Sequence, residues 1–372
     1  MSRVVLVTGA SGYVGSAVVQ QLLEEGFHVR GAARGQKAAN LRNSFESFKD
    51  RFEVVEIADL SKPSPLPEDA LKDLWALIHV ALYTPRKDEA VGDIVKGTIN
   101  STTYILEQAE KAGVKHFVWT GTAAAVLDTN TRGLSCKHTG MLDDTPDWNP
   151  ITIEEGLKAN NHLPAYTAGK KHAELALWEW ADSHPEVEVA SVIPPSVLGP
   201  WAEGLRIASP DYNPGLTAIF WNFIDPDGQF FISPVYVDVR DLAKAHVRAM
   251  THAPPTSEVG RKRVIISSPH GVDYGRTIEL LREKRPELKE RLTRREPPVF
   301  GYDRLEVEFD WIEKALGMKK EDFFTWEETL LDGVDQCLAF EEQWKASGYS
   351  FKTPPLYSGY REPGSEEDKK AE

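Results

Sequence analysis

Residues 4–15 read Val-Val-Leu-Val-Thr-Gly-Ala-Ser-Gly-Tyr-Val-Gly, an apolar run followed by glycines in the pattern T-G-x-x-G-x-x-G. The run is typical of a strand buried on both faces, and the apolar residues after it recur at helical spacing. Glycines at such a strand-to-helix turn let the backbone approach a pyrophosphate, which the free N–H groups and positive dipole end of the helix attract. A tight turn without any ligand is the alternative. We predict that the turn binds a dinucleotide through Gly9, Ser11, Gly12, Tyr13, Val14 and Gly15.

The alternation of apolar runs with helical patterns continues to residue 266. Because strands that alternate with helices form a parallel sheet covered on both faces, the pattern indicates an α/β protein. We predict a Rossmann-type doubly wound parallel sheet with a smaller, discontinuous substrate-binding lobe. The expected strands are 4–7, 27–33, 52–57, 75–80, 114–119, 187–193 and 263–266, and the longest expected helices are 92–112 and 165–183.

The composition of the chain changes after residue 194. Proline, glycine and aromatic residues dominate 194–234, and strand-helix patterning returns in 235–250. We therefore expect the chain to leave the dinucleotide-binding domain and return to it. The predicted boundaries are 1–196 plus 235–266 for the Rossmann domain, 197–234 plus 267–350 for the substrate lobe, and 351–372 for a partly disordered C-terminal tail.

Composition and charge exclude several classes of protein. The 372 residues carry a net charge of −14, and an acidic surface repels nucleic-acid phosphates. Cys136 and Cys337 have no Cys or His partners at ligand spacing, which argues against a disulfide framework or a metal site. Glycines interrupt the apolar N-terminal segment, and no stretch reaches the roughly 18 apolar residues of a membrane span. We predict a cytoplasmic protein without nucleic-acid or membrane partners.

The residues after the second predicted strand bear on the choice between NAD and NADP. NAD sites place an acidic residue there to bind the ribose 2′-hydroxyl, but 26–45 contains none. Arg34 falls at the end of that strand, where a guanidinium could bind a 2′-phosphate, and Lys37 is a second candidate. A solvated basic loop is the alternative, and it suits Arg30 and Arg42 better. We predict that the cofactor is NADP(H).

Two Tyr-x-x-x-Lys pairs could supply the proton that reduction of a carbonyl requires. On a helix, a lysine one turn from a tyrosine supplies positive charge that lowers the pKa of the phenol. Tyr166 and Lys170 open a long helical pattern, whereas Pro85 disfavours a helix between Tyr83 and Lys87. We predict that Tyr166 and Lys170 are the catalytic pair.

A third group is expected to polarise the substrate carbonyl. Thr122 follows the fifth predicted strand and so lies at the carboxyl edge of the sheet, where ligands bind in open α/β folds. Its hydroxyl could bond the carbonyl or Tyr166, or it could be satisfied by nearby backbone. We predict a catalytic role for Thr122.

Residues 3–265 resemble the extended short-chain dehydrogenase/reductase family, and within it the dihydroflavonol reductase-like enzymes and the fungal aldehyde and ketone reductases. The resemblance is carried by the motifs above and by five further segments. It implies that Thr122 stands where the family usually has serine, which keeps the hydroxyl but stiffens the side chain. The five segments are 58–60 (ADL), 78–81 (IHVA), 95–100 (VKGTIN), 193–200 (IPPSVLGP) and 237–246 (VDVRDLAKAH).

The resemblance also extends the expected cofactor site. It implies that Asp59 and Leu60 flank the adenine, that Val80 and Ala81 run along the cofactor, and that Pro194 and Val197 meet the nicotinamide. It places His79 and His246 at packing positions. The set of expected cofactor contacts is completed by Thr120, Tyr166 and Lys170.

The function that these residues favour is the NADPH-dependent reduction of a small aldehyde or ketone to an alcohol, with Tyr166 as proton donor. Three alternatives stay open: a sugar-nucleotide epimerase or dehydratase, a hydroxysteroid-type dehydrogenase, and a non-catalytic dinucleotide sensor. The basic residues after the second strand count against the sugar enzymes, which retain NAD. The substrate is expected to be a small carbonyl compound, and the oligomeric state is not predicted. The lobe aromatics could line its pocket, although more than half should be core; they are Trp201, Phe220, Trp221, Phe223, Phe230 and Phe231.

Overall fold

The structure is a computed structural model. It describes residues 3–57, 66–83, 90–127, 148–205, 207, 215–231, 233–300 and 303–356. Among the residues singled out above, Asp59, Leu60, Pro85, Lys87 and Cys136 lie outside this described part.

The strands form one large sheet and one small sheet. Their bounds are β1 Val4–Thr8, β2 His28–Ala33, β3 Phe52–Glu56, β4 Leu74–His79, β5 His116–Thr120, β6 Glu188–Ile193, β7 Ser196–Leu198, β8 Tyr236–Asp238 and β9 Lys262–Ile265. The large sheet has the order β3-β2-β1-β4-β5-β6-β9 with every described pair parallel, and β7 pairs with β8 in the small one. The strand order reverses beside β1, which opens a crevice between the loops that follow β1 and β4.

The helices cover both faces of the large sheet. Their bounds are α1 Tyr13–Glu24, α2 Gln36–Ser44, α3 Glu68–Leu71, α4 Asp93–Ala112, α5 Ile153–Leu157, α6 His162–Ser183, α7 Ala218–Phe223, α8 Val239–Thr251, α9 Thr256–Val259, α10 Tyr274–Lys284, α11 Phe309–Leu316 and α12 Trp326–Ala346. Helices α1 and α8 pack together over one face, and α4 and α6 over the other. Alternate side chains of β1 serve the two layers, since Val5 and Val7 join the first and Leu6 the second. The predicted doubly wound fold is therefore confirmed.

Helix α6 begins earlier than its apolar pattern predicts. The expected start was residue 165, but the helix starts at His162, with Pro164 inside its first turn. Proline is tolerated there because the first N–H groups of a helix have no intrahelical partner. Tyr166 is thus held in a regular helix instead of at a frayed end.

A second hydrophobic cluster is built by α7, α10 and α12. Trp201, Phe220, Trp221 and Phe223 are buried in it, so most of the lobe aromatics form core. Phe230 and Phe231 are partly buried against it. The two-lobe division at the boundaries given above stays a prediction.

The beginning of the predicted tail also packs on this second cluster. The Phe351 ring centroid lies 5.6 Å from that of Trp221 and 5.5 Å from that of Trp344. The structure therefore describes the predicted tail as far as residue 356, and 357–372 lie outside the described residues. None of the helices in the described part of the chain combines the length and apolar character that crossing a membrane requires.

Candidate active site at the carboxyl edge of the sheet

The turn after β1 accepts only glycine at two positions. Gly9 has φ +69°, and a Cβ there would lie 2.8 Å from the backbone nitrogen of Ala81. A Cβ on Gly15 would lie 2.1 Å from the carbonyl oxygen of Gly9. Both are closer than atoms can pack, so the glycines hold the chain against the end of β4. These contacts lie within the protein; a glycine turn between a first strand and a helix is the place where a pyrophosphate binds in dinucleotide-binding folds.

The N-terminus of α1 is open to an anion. Gly12 precedes the helix, no side chain caps it, and its first turn contains no acidic residue. Tyr13, however, directs its side chain away from this end. Its hydroxyl donates to the carbonyl oxygen of Gly199 at 2.8 Å, and its ring packs edge-on to Trp201 at 4.6 Å between centroids. Tyr13 therefore joins the glycine turn to the loop after β7.

Arg34 and Lys37 lie free beside the end of β2. Both side chains are exposed, and neither has an ion-pair partner among the residues that the structure describes. Arg30 differs, since it pairs with Glu53 and donates to the backbone oxygen of Lys72. The side chain of Arg30 is thus occupied by contacts within the protein, while the side chains of Arg34 and Lys37 are available to bind a ligand.

The end of β4 is held by a buried threonine–histidine pair. The hydroxyl oxygen of Thr8 accepts the Ala81 N–H at 3.3 Å and is hydrogen bonded to Nδ1 of His79 at 2.8 Å. Burial, followed by the charge of Lys170, lowers the pKa of His79 to about 3. His79 is therefore neutral, and it fixes the strand end on which Val80 and Ala81 lie.

Lys170 is buried one helical turn from Tyr166. Its Nζ donates to the carbonyl oxygen of Thr120 at 2.7 Å and lies 4.5 Å from the centroid of the Trp119 ring. Burial lowers the pKa of Lys170 to about 8, and the negative charge of Glu174 acts in the opposite direction. The lysine is thus held at the end of β5 by backbone and aromatic contacts.

The backbone oxygen that holds Lys170 belongs to a second threonine–histidine pair. The Thr120 hydroxyl lies 2.8 Å from Nε2 of His246, whose Nδ1 lies 2.8 Å from the carbonyl oxygen of Leu242. Since Nδ1 faces an acceptor it carries the proton, and Nε2 accepts from Thr120. Burial lowers the pKa of His246 to about 4, so the ring is neutral. His246 fixes Thr120 and, through it, the acceptor of Lys170.

Thr122 faces Tyr166 at the end of β5. Its oxygen accepts the Ala124 N–H at 3.3 Å, and its side chain is hydrogen bonded to Tyr166. Burial raises the pKa of Tyr166, and the bond to Thr122 partly lowers it. Burial is the larger of these two influences and keeps the phenol protonated.

Of the other predicted residues, Pro194 lies beside Thr122, whereas Tyr83 packs against α4. The carbonyl oxygen of Pro194 accepts the Ala123 N–H at 2.8 Å, which brings the end of β6 beside Thr122, and Val197 follows in β7. The Tyr83 ring instead packs on Gly97 of α4, where a Cβ would lie 2.3 Å from it. No group of three or more His, Cys, Asp or Glu side chains that could hold a metal occurs within the described ranges. The roles assigned to the site residues stay predictions.

The model of the NAD dependent epimerase/dehydratase family matches residues 5–211. The chain belongs to this family. The predicted membership of the extended short-chain dehydrogenase/reductases is thereby confirmed.

Relatives within the epimerase/dehydratase family include reductases from fungi. An oxidoreductase of Schizosaccharomyces pombe is 32% identical, with 92% of this chain and 99% of that protein covered. A protein of Candida albicans named as an NADPH-dependent methylglyoxal reductase is 27% identical, with 91% and 99% covered. The crystal structure of yeast methylglyoxal/isovaleraldehyde reductase with NADPH is similar with a TM-score of 0.72 at 26% identity, covering 91% of this chain and 99% of that one.

Proposed function

We propose that this chain is an oxidoreductase that uses NADPH to reduce a small aldehyde or ketone to an alcohol, with Tyr166 as the proton donor. The observation that carries the proposal is the convergence of Thr122, Tyr166 and Lys170 at the end of β5. This place adjoins the crevice beside β1, where ligands bind in such sheets. The fungal relatives named for carbonyl reduction support the same reading.

The residues present fit a bound NADPH. The glycine turn is of the kind that lets a backbone approach a pyrophosphate, and the uncapped N-terminus of α1 suits its charge. Exposed Arg34 and Lys37 suit the 2′-phosphate. When bound, NADPH supplies the hydride for the carbonyl carbon.

The proton that the substrate oxygen receives comes from a side chain of the protein. Burial keeps Tyr166 protonated, so the phenol can donate to the substrate oxygen as negative charge develops there. The Thr122 hydroxyl, already bonded to Tyr166, stabilises the phenolate left behind. The Lys170 ammonium one turn away adds positive charge to the same place. A neutral buried tyrosine beside a buried cation is thus suited to donating one proton per turnover.

The proposal is tested by following NADPH oxidation with a panel of aliphatic, aromatic and α-keto aldehydes and ketones. We expect turnover of at least one of them and turnover lower by about 10²–10⁴-fold in the Tyr166→Phe protein under the same conditions. Absence of NADPH oxidation across the panel, together with conversion of a nucleotide sugar, would favour the epimerase or dehydratase alternative.

Arg34→Ala is expected to weaken NADPH binding and leave NADH binding nearly unchanged. Loss of hydrogen bonds to a charged phosphate costs about 1.5–3 kcal/mol, which corresponds to roughly 10- to 150-fold in Kd. Titration of each variant with both cofactors measures this. Arg42→Ala is the matched control, since it removes the same exposed charge farther along α2 and should leave both affinities unchanged. Equal losses for NADPH and NADH would show that Arg34 does not read the 2′-phosphate.

A further inference from the structure

One row of residues crosses three strands of the sheet beneath α6. Trp119 of β5 is the register partner of Ser191 in β6, which is in turn the partner of Arg263 in β9. All three side chains are fully buried. Residues in one row of adjacent strands point to the same face, and here that face contacts α6. Trp119 lies against Lys170, so the other two residues occupy the neighbouring positions under the same helix.

Glu174 on α6 is bound by the rest of this row. Its Oε1 accepts from Ser191 Oγ at 2.9 Å and from Arg263 Nε at 2.8 Å, and Oε2 lies 3.5 Å from Arg263 Nη2. Trp178, one turn farther along α6, donates its indole N–H to Oε1 at 3.3 Å. Glu174 has no exposed surface. The carboxylate is therefore satisfied by four donors and held at one position over the sheet.

Stability alone does not explain this ion pair. A buried ion pair is often no more stable than apolar side chains of the same volume, because both charges lose their hydration. Here Arg263 Nη1 also has no hydrogen-bond partner in the described part of the chain. Glu174 does, however, lie one helical turn from Lys170 on α6, and residues four apart on a helix share a face.

We propose that Glu174 is a positioning residue for the reaction: it supplies the counter-charge for the buried Lys170 ammonium, and Arg263 with Ser191 holds it in place. Tyr166, Lys170 and Glu174 follow one another at four-residue spacing along α6. Burial by itself disfavours the charged lysine, and the Glu174 carboxylate opposes that effect. The role in turnover rests on the proposed function, whereas the effect on the charge of Lys170 does not.

Few other charges in the described residues act on Lys170. The titratable groups around it are Tyr166 and Glu174 on α6, His79 on β4, His246 on α8 and Arg263 on β9. Both histidines are neutral at ordinary pH because burial lowers their pKa values to about 3 and about 4. The buried residues of α4 include no Asp, Glu, Lys, Arg or His, and Glu155 of α5 acts on Lys171 instead. Glu174 is thus the negative group that faces the lysine.

The test is a titration of Lys170 by NMR in protein labelled with ¹³C-lysine, with the Lys170 signal assigned by its loss in Lys170→Met. In Glu174→Gln we expect the pKa of Lys170 to fall by about one unit or more, the usual effect of losing a close opposite charge. In the Glu174→Gln/Arg263→Met double variant it should fall less, because the opposing cation is gone too. Glu155→Gln is the control: it makes the same change in a carboxylate that acts on Lys171, and it should leave the pKa of Lys170 unchanged.

The kinetic readout is the alkaline limb of the pH profile of kcat/KM for carbonyl reduction, which should move to lower pH in the same order. An unchanged Lys170 pKa in the double variant would overturn the inference, even if activity or stability fell. The double variant removes the charges of Glu174 and Arg263 together and so does not leave Arg263 unpaired, which lets it decide the question if Glu174→Gln alone does not fold. A wild-type protein that oxidises no NADPH would count against the proposed function. The NMR titration would still test whether Glu174 acts on the charge of Lys170.

Discussion

Tyr166→Phe is expected to lower kcat for carbonyl reduction by about 10²–10⁴-fold, the usual contribution of general acid catalysis. The phenol is the group from which the substrate oxygen would take its proton, and phenylalanine cannot replace it. The ring remains to pack beside His162, whose ring centroid lies 5.7 Å away. The variant should therefore fold and bind NADPH like the wild type. Steady-state kinetics with one active carbonyl substrate, combined with NADPH titration, measures both properties.

Tyr83→Phe is the matched control for that experiment. It removes the hydroxyl of the other Tyr-x-x-x-Lys pair but keeps the ring that packs on Gly97. Turnover should remain within several-fold of the wild type. Near-normal turnover in Tyr166→Phe would rule out the proposed mechanism, whatever the Tyr83 variant does.

Lys170→Met is expected to lose turnover by a comparable factor and yet to gain stability. The missing ammonium can no longer stabilise the Tyr166 phenolate. The same ammonium is buried, which lowers its pKa from 10.5 to about 8, so its charge opposes folding. A shift of that size corresponds to about 3 kcal/mol. Methionine avoids this cost but loses the charged hydrogen bond to Thr120, which contributes about 1.5–3 kcal/mol, so a net gain of up to about 1.5 kcal/mol is expected at pH 7.

The pH dependence of stability checks the same cause. A lysine whose pKa is lower in the folded state costs stability fully below pH 8, and the cost disappears as pH rises from about 8 toward 10.5. The advantage of Lys170→Met over the wild type in urea unfolding should therefore shrink across this window. A variant that is less stable than the wild type at pH 7 would instead mean that the contacts of Lys170 with Trp119 and Thr120 outweigh its burial.

Many residues of the candidate site could be predicted from short stretches of the sequence. The glycines of the first turn could be recognised because their spacing reflects steric limits within seven residues, and Gly9 and Gly15 indeed have no room for a Cβ. Tyr166 and Lys170 could be paired because four residues make one helical turn. Arg34 could be singled out because it directly follows a strand. The effect of burial on the pKa of Tyr166 could not be predicted in this way, since burial depends on everything packed around the phenol.

The order of strands and helices likewise follows from short-range patterns, because each buried strand is an apolar run and each helix a periodic one. The contacts that hold α6, the helix of Tyr166 and Lys170, do not follow from such patterns. Lys170 bonds a backbone oxygen 50 residues away, Glu174 pairs with Arg263 at a separation of 89, and Thr120 bonds His246 at 126. These partners carry no common spacing or motif, and they meet only because β5, β6, β9 and α8 are brought together in the folded sheet. Periodicity can specify an element and the side chains on its face, but the residues opposite that face are chosen by the packing of the whole chain.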